Sequence, residues 1–287
     1  MNNSRPFTSQ MPGPRIILLT TLALIAFASN SLLCRVALKQ TNIDAASFTS
    51  IRLIAGAAML WLLVRIRRNT ASGSGNWLSA LALFAYAAAF SFAYVSLTAA
   101  TGALLLFGAV QATMIGYGIW IGEKLRTQQL VGLVLAIGGL VVLLLPGLAA
   151  PPLWGSILMM IAGAAWGVYS LRGRGAGDPS KVSAGNFLRA VPLALILSIL
   201  MQKNAVLDSA GVGYALASGA LASGFGYIVW YTVLPALKTS SAATVQLSVP
   251  VIAALGGIVF LGEPLTLRLV LAALAILGGI GLVLLKR

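Results

Sequence analysis

Three aromatic side chains, Tyr86, Phe90 and Tyr94, recur at four-residue spacing in one apolar run, with Ser91 beside them. On a helix that spacing stacks the rings along one face. Tyr227, Trp230 and Tyr231 repeat the three- and four-residue spacing further along the chain, and a Trp166-Gly167 pair lies in another run. Such rings offer an apolar surface with a hydroxyl or indole handle, and their faces attract an ammonium group. Asn30, Gln111 and Gln246 add amides that donate and accept without carrying charge. These residue types suit noncovalent binding of a small molecule. They also have a plainer use: Tyr and Trp near the ends of apolar segments anchor helices at the membrane interface, which accounts for Trp61, Trp77, Trp120 and Trp154.

The charged residues narrow the chemistry. Arg35, Arg52 and Arg189 fall inside apolar runs, where a charge is costly and functional by default. Each lies within about two turns of an expected helix end, so snorkelling to the headgroups is open to it as well. For Arg52 and Arg189 the functional alternative is a gating or stabilising contact. All five acids, Asp44, Glu123, Asp178, Asp208 and Glu263, sit at connectors or span ends. None occupies a midplane position that a proton relay would use, which leaves Glu123 and Glu263 as the coupling or gating candidates. Glu263, next to Pro264, equally reads as a helix cap.

Several classes of chemistry drop out. With no histidine, Ser-His hydrolysis, His-ligated metals and a proximal-His haem are excluded. The lone Cys34 cannot form an internal disulfide or a Cys-based zinc site. No Gly-rich phosphate loop ending in Lys-Ser/Thr is present, so ATP drive is not encoded. No cofactor and no metal are expected. A membrane enzyme, such as an acyltransferase or an intramembrane protease, would need the missing His or a midplane Asp pair. A structural or channel component is the other rival, separable from a carrier by saturable flux.

Elements that could hold these residues follow from composition. Of 287 residues, 59% are hydrophobic and 8% charged, and the mean hydropathy is +0.97; a soluble domain carries about 25% charged residues. Windows long enough to cross a bilayer, about 20 residues, fall at 15–38, 45–65, 77–97, 101–122, 128–146, 152–171, 183–201, 210–233, 240–261 and 267–285. The first fourteen residues form a polar tail, and the first span is too long and too unlike a cleavable signal to be removed. With the N-terminus in the cytoplasm, thirteen Lys/Arg face that side and only Lys39, Lys203 and Arg268 face the other. That bias predicts both termini inside. It also accounts for the net charge of +14 without nucleic acid, for which no basic module or motif exists.

The chain repeats itself at an offset of 140. Gly122-Glu123-Lys124-Leu125 matches Gly262-Glu263-Pro264-Leu265, and Gly138-Gly139 matches Gly278-Gly279. Ser31-Leu32 and Arg35 are echoed by Ser170-Leu171 and Arg174, and Arg52 by Arg189. Five spans per half is odd, so the second half enters the membrane upside down, as in secondary transporters that rock about a midplane site. The expected division is a tail (1–14), a first repeat (15–147) and a second repeat (148–287).

Ten spans in two halves, each closing on a Gly-Glu-X-Leu turn and a Gly-Gly-bearing last helix, resemble the drug/metabolite transporter superfamily, EamA type. Arg52 in the stretch FTSIRLIAGA is similar to that family's second span. Where members carry a Trp-Gly pair before the first-span asparagine, this chain has Phe27-Ala28-Ser29-Asn30. Within the superfamily the chain resembles the bacterial inner-membrane exporters of aromatic amino acids, the YddG type. The resemblance implies an all-α integral membrane protein, ten helices as two inverted repeats, that exports aromatic and other neutral amino acids by alternating access. Its substrate path would use Tyr86, Phe90, Tyr94, Ser91, Asn30, Gln111, Trp166, Tyr227, Trp230 and Gln246. Its partners would be the small molecule and lipid; a monomer is the simplest assembly, with a dimer left open. The alternative within transport is export of cationic drugs or other metabolites, with proton coupling through Glu123 or Glu263.

Overall fold

The computed structural model describes residues 12–67, 73–122, 126–145, 147, 150–173, 176–237 and 245–284. These form ten helical runs: α1 (Gly13–Gln40), α2 (Ala45–Arg67), α3 (Trp77–Tyr94), α4 (Ala99–Trp120), α5 (Thr127–Leu144), α6 (Leu153–Gly173), α7 (Pro179–Leu200), α8 (Ser209–Val233), α9 (Ser248–Leu261) and α10 (Leu267–Leu284). No strand occurs among the described residues. Nine of the helices are long and apolar enough to span a bilayer; α9, at 14 residues, is shorter. The expected ninth span, 240–261, begins partly outside the described residues.

The acids start the helices. Asp178 accepts from the Lys181 N–H and Asp208 from the Gly211 N–H, each 2.9 Å away. Both satisfy amides that have no intrahelical partner. Asp44 does the same for α2, accepting from Ala46 and Ser47, while its other oxygen accepts from Val206 across the bundle. Burial pushes the Asp44 carboxyl up, but the hydrogen bonds from Ser47, Val206 and Ala46 outweigh it and hold the group below its ordinary value.

Packing follows a two-fold pattern. α6 packs on α3 and α4, while α1 packs on α8 and α9; α2 faces α7, α4 faces α9, and α5 faces α10. Exchanging α1–α5 for α6–α10 maps these pairs onto one another. The α5–α10 seam repeats the rule in detail. A Cβ at Gly132 would lie 2.4 Å from the Gly279 carbonyl oxygen, and one at Gly279 equally close to that of Gly132. The repeat-related contact sets Gly139 against Ala272. Small residues thus bring two backbones together where lipid gives no hydrophobic drive. The other faces of α5 and α10 expose Val134, Ile137, Val141, Leu271 and Leu274.

Candidate functional site

One cavity of about 650 Å³ opens into the bundle from one end. Its deep wall is made of Asn30 and Ser31 from α1 and Tyr86 and Phe90 from α3; it widens past α4, α6, α7 and α8. At one end its lining includes the exposed Ile121 and Gly173, where α4 and α6 finish, together with Gln129 at the start of α5 and Leu284 at the end of α10.

Trp166 is the hub of the aromatic wall. Its ring centroid lies 4.9 Å from that of Tyr86, 5.5 Å from Tyr227, and 5.2 Å from Tyr169, on which it stacks. Phe27 meets Tyr227 and Trp230 edge-on at 6.0 and 5.9 Å. The four-residue spacing on α3 sets Tyr86 above Phe90, with centroids 5.4 Å apart.

Behind that wall lies a polar knot. Arg52, on α2, is 2% exposed. Its Nη2 donates to the Tyr86 hydroxyl at 3.0 Å, and its guanidinium lies over the Tyr86 and Phe90 rings, 5.2 and 4.9 Å from their centroids. Among the described residues its Nη1 has no hydrogen-bond partner and no carboxylate pairs with it. Asn30 donates to the Tyr86 hydroxyl at 3.1 Å and accepts from Ser218 at 2.6 Å. Ser218 opens a π-helical stretch, Ser218–Phe225, the kind of widened turn that re-aims side chains at functional sites. Gly219, within it, packs so closely on the Arg52 carbonyl that a Cβ would come within 2.1 Å.

The other end of the cavity is sealed. Arg35 donates from Nε to Glu263 Oε1 at 3.0 Å and from Nη1 to the Tyr94 and Val95 carbonyls at 2.9 and 3.2 Å. Glu263 Oε2 accepts from the Ala99 N–H at 2.7 Å. One buried ion pair therefore ties α1, the α3–α4 turn and the end of α9. The Gly-Glu turn explains how the acid gets there. Gly262 ends α9 with φ +60°, a left-handed conformation glycine adopts freely, and this turns Glu263 back into the protein. Gly122, its counterpart in the repeat, ends α4 with φ +94°.

The EamA-like transporter family matches residues 14–145 and again 153–285. The chain belongs to that family. A protein of Pseudomonas aeruginosa strain PAO1 is 59% identical over 278 residues, covering 96% of this chain and 97% of its own. The threonine/homoserine exporter RhtA of Salmonella typhimurium is 31% identical over 157 residues, 53% of each chain. One solved crystal structure superposes with a TM-score of 0.66 at 18% identity, over 93% of this chain and 96% of its own, a likeness of fold. This EamA-like protein is thus a multi-pass membrane transporter and not an enzyme.

Eight of the ten candidate substrate residues line the EamA cavity: Asn30, Tyr86, Phe90, Gln111, Trp166, Tyr227, Trp230 and Gln246. Tyr94 and Ser91 do not. Tyr94 is fully buried at the sealed end, against Phe90 and Gly102, and Ser91 donates to the Ala87 carbonyl of its own helix. Arg189 fastens the connector before α3 by donating to the Ser74 carbonyl. Glu123 lies outside the described residues. Sequence reasoning missed Tyr169, Ser183 and Asn186 on the wall. Tyr169 follows Trp166 at three-residue spacing, the signal used for Tyr227 and Trp230 on α8; the other two carry no local signature.

Proposed function

We propose that this transporter exports neutral amino acids, aromatic ones included, across the bacterial inner membrane by alternating access and without ATP. The observation that carries this reading is the cavity wall: packed aromatic rings, five amides, a buried guanidinium behind them, and no carboxylate among the described lining residues. A cavity of about 650 Å³ falls in the range of small-molecule sites, about 300–1,000 Å³. The rings receive a side chain, while hydroxyl and amide groups meet the polar end. The match to a threonine/homoserine exporter supports amino acids as cargo. Cationic drugs fit less well, because Arg52 already occupies one approach to the Tyr86 and Phe90 faces and like charges repel.

With both termini in the cytoplasm, as the distribution of Lys and Arg favours, the open end of the cavity faces the cytoplasm and the Arg35–Glu263 seal faces outside. The state described is then the one that loads cargo for export. The two halves, 15–147 and 148–287, are the bodies that rock. Transport runs down the substrate gradient, since the described wall offers no acid to carry a proton.

Purified protein in liposomes, assayed with labelled threonine, methionine and tryptophan with and without a proton gradient, tests this reading. Saturable flux indifferent to the gradient is the expected result. Flux that demands the gradient overturns the facilitated mechanism, and absence of flux for all three overturns amino-acid cargo.

A further inference from the structure

The polar knot has an unspent donor. Tyr86, Asn30 and Ser218 form a chain whose direction the distances decide. The 2.6 Å between Ser218 Oγ and Asn30 Oδ1 suits an O–H donor, and the 3.1 Å between Asn30 Nδ2 and Tyr86 Oη suits an N–H donor. The Asn30 oxygen therefore faces Ser218 and its NH2 faces Tyr86. Arg52 donates to the same hydroxyl from the other side. With two donors on its oxygen, Tyr86 can only donate its own hydrogen, and no acceptor for it lies within hydrogen-bond reach among the described residues.

Charge points the same way. Arg52 is a buried cation whose Nη1 has no partner among the described residues, and a buried charge is ordinarily paired. Glu263, the described acid that turns into the bundle, is held by Arg35 and the Ala99 N–H; Asp44, Asp178 and Asp208 cap helix starts. Among the described residues no anion is supplied where a guanidinium, an amide and a phenol converge beside the cavity. Leaving such groups short of a partner costs stability that a ligand can return.

We propose that the cavity is a carboxylate site: the substrate's carboxylate accepts the Tyr86 hydroxyl proton in a charge-assisted hydrogen bond, with Arg52 and Asn30 as positioning residues that orient and polarise that hydroxyl. The inference rests on the transport reading of the same cavity and narrows it. The carboxylate is the required element; the amino group is dispensable, because no acid on the described wall answers it. Aromatic and aliphatic acids that lack an amine are then ligands, and amines that lack a carboxylate are not.

The test uses the full-length protein in detergent and reads thermal stabilisation with three probes that share one ring: phenylalanine, 3-phenylpropionate and phenethylamine. Phenylalanine and 3-phenylpropionate are expected to raise the melting temperature, and phenethylamine to leave it unchanged. Tyr86→Phe keeps the ring and its tilted contact with Trp166 but removes the donor. It is expected to raise the half-stabilising acid concentration about tenfold or more, the worth of one hydrogen bond to a charged group. Arg52→Gln is expected to lower the acid-over-amine preference itself, a ratio that a merely structural role leaves alone. Stabilisation by the amine equal to that by the acid, an unchanged acid midpoint in Tyr86→Phe, or no response to any probe overturns the proposal. Acid binding without amino-acid flux in liposomes preserves the site and removes the export reading; saturable amino-acid flux that phenethylamine inhibits as well as 3-phenylpropionate does the reverse.

Discussion

Replacing Glu263 with glutamine removes the charge from the seal and keeps its volume. In the closed end, the carboxylate receives the Arg35 Nε at 3.0 Å and the Ala99 N–H at 2.7 Å. A glutamine oxygen can serve one of these donors, while its NH2 turns a donor toward the other. One charge-assisted bond is lost and the other loses its anionic acceptor, against a worth of about 1.5–3 kcal/mol for each bond to a charged group. Arg35 retains the Tyr94 and Val95 carbonyls, so the net loss is about 2–3 kcal/mol, below the roughly 3–5 kcal/mol for stripping a buried pair of one partner outright. If water solvates both groups once the end opens, that loss falls on the closed state alone and shifts the balance toward opening about 30- to 150-fold. A single cysteine at position 99 reads the shift. Ala99 is fully buried within the seal, and Cys34→Ala removes the competing thiol. In cells, an impermeant maleimide should label Ala99→Cys slowly beside Glu263 and about 30-fold faster or more in Glu263→Gln. An unchanged rate at normal expression would refute the seal as a moving part, because it would mean that the pair persists in every state the transporter visits.

Two further substitutions test the scaffold. Gly279→Ala forces a Cβ to within 2.4 Å of the Gly132 carbonyl and 2.7 Å of the Ala136 nitrogen, whereas Gly278→Ala meets nothing within 4 Å. The first should cost about 1–3 kcal/mol and lower the melting temperature, and its neighbour should leave it unchanged; equal effects would deny the α5–α10 seam. Asp44→Asn weakens the cap and the link to Val206 and should cost about 1 kcal/mol near neutral pH. Because folding lowers the Asp44 carboxyl below its ordinary value, its contribution is present above the unfolded value and lost as pH falls through the folded one. The stability gap between wild type and Asp44→Asn should therefore close on acidification; a gap that is constant with pH would exclude a charged cap.

The ten helices are legible because length and hydropathy act locally. α7 starts at Pro179, four residues before the expected 183, since Asp178 caps it and Pro suits the first helical turn; a hydropathy window is blind to caps. The aromatic stripe on α3 is legible as a face but not in depth. Tyr86 and Tyr94 stand eight residues apart, about 12 Å along the helix, so one end of the stripe borders the cavity and the other lies in the seal. The pairing of Arg35 with Glu263 joins residues 228 apart, and no local pattern encodes it. Arg52 is legible as an intramembrane charge. That no described carboxylate pairs with it emerges only when the helices that could have supplied one are packed around it.

The repeat gives the seal a consequence at the opposite end. Glu263 corresponds to Glu123 at the offset of 140, and Arg35 to Arg174 through the echo of Ser31-Leu32 in Ser170-Leu171. Glu123 and Arg174 lie outside the described residues; the orientation expected from the Lys and Arg distribution assigns both to the cytoplasmic end. A carrier that alternates needs each end to close when the other opens, and a duplicated fold supplies the same lock twice. The outward-open state is therefore expected to pair Arg174 with Glu123, as the described state pairs Arg35 with Glu263. Glu123→Gln should then act opposite to Glu263→Gln: it weakens the state in which the outer end is open, so the Ala99→Cys thiol becomes harder to label. Faster labelling in both variants would mean that the two Gly-Glu turns are not the two ends of one switch. The repeat would then preserve packing alone.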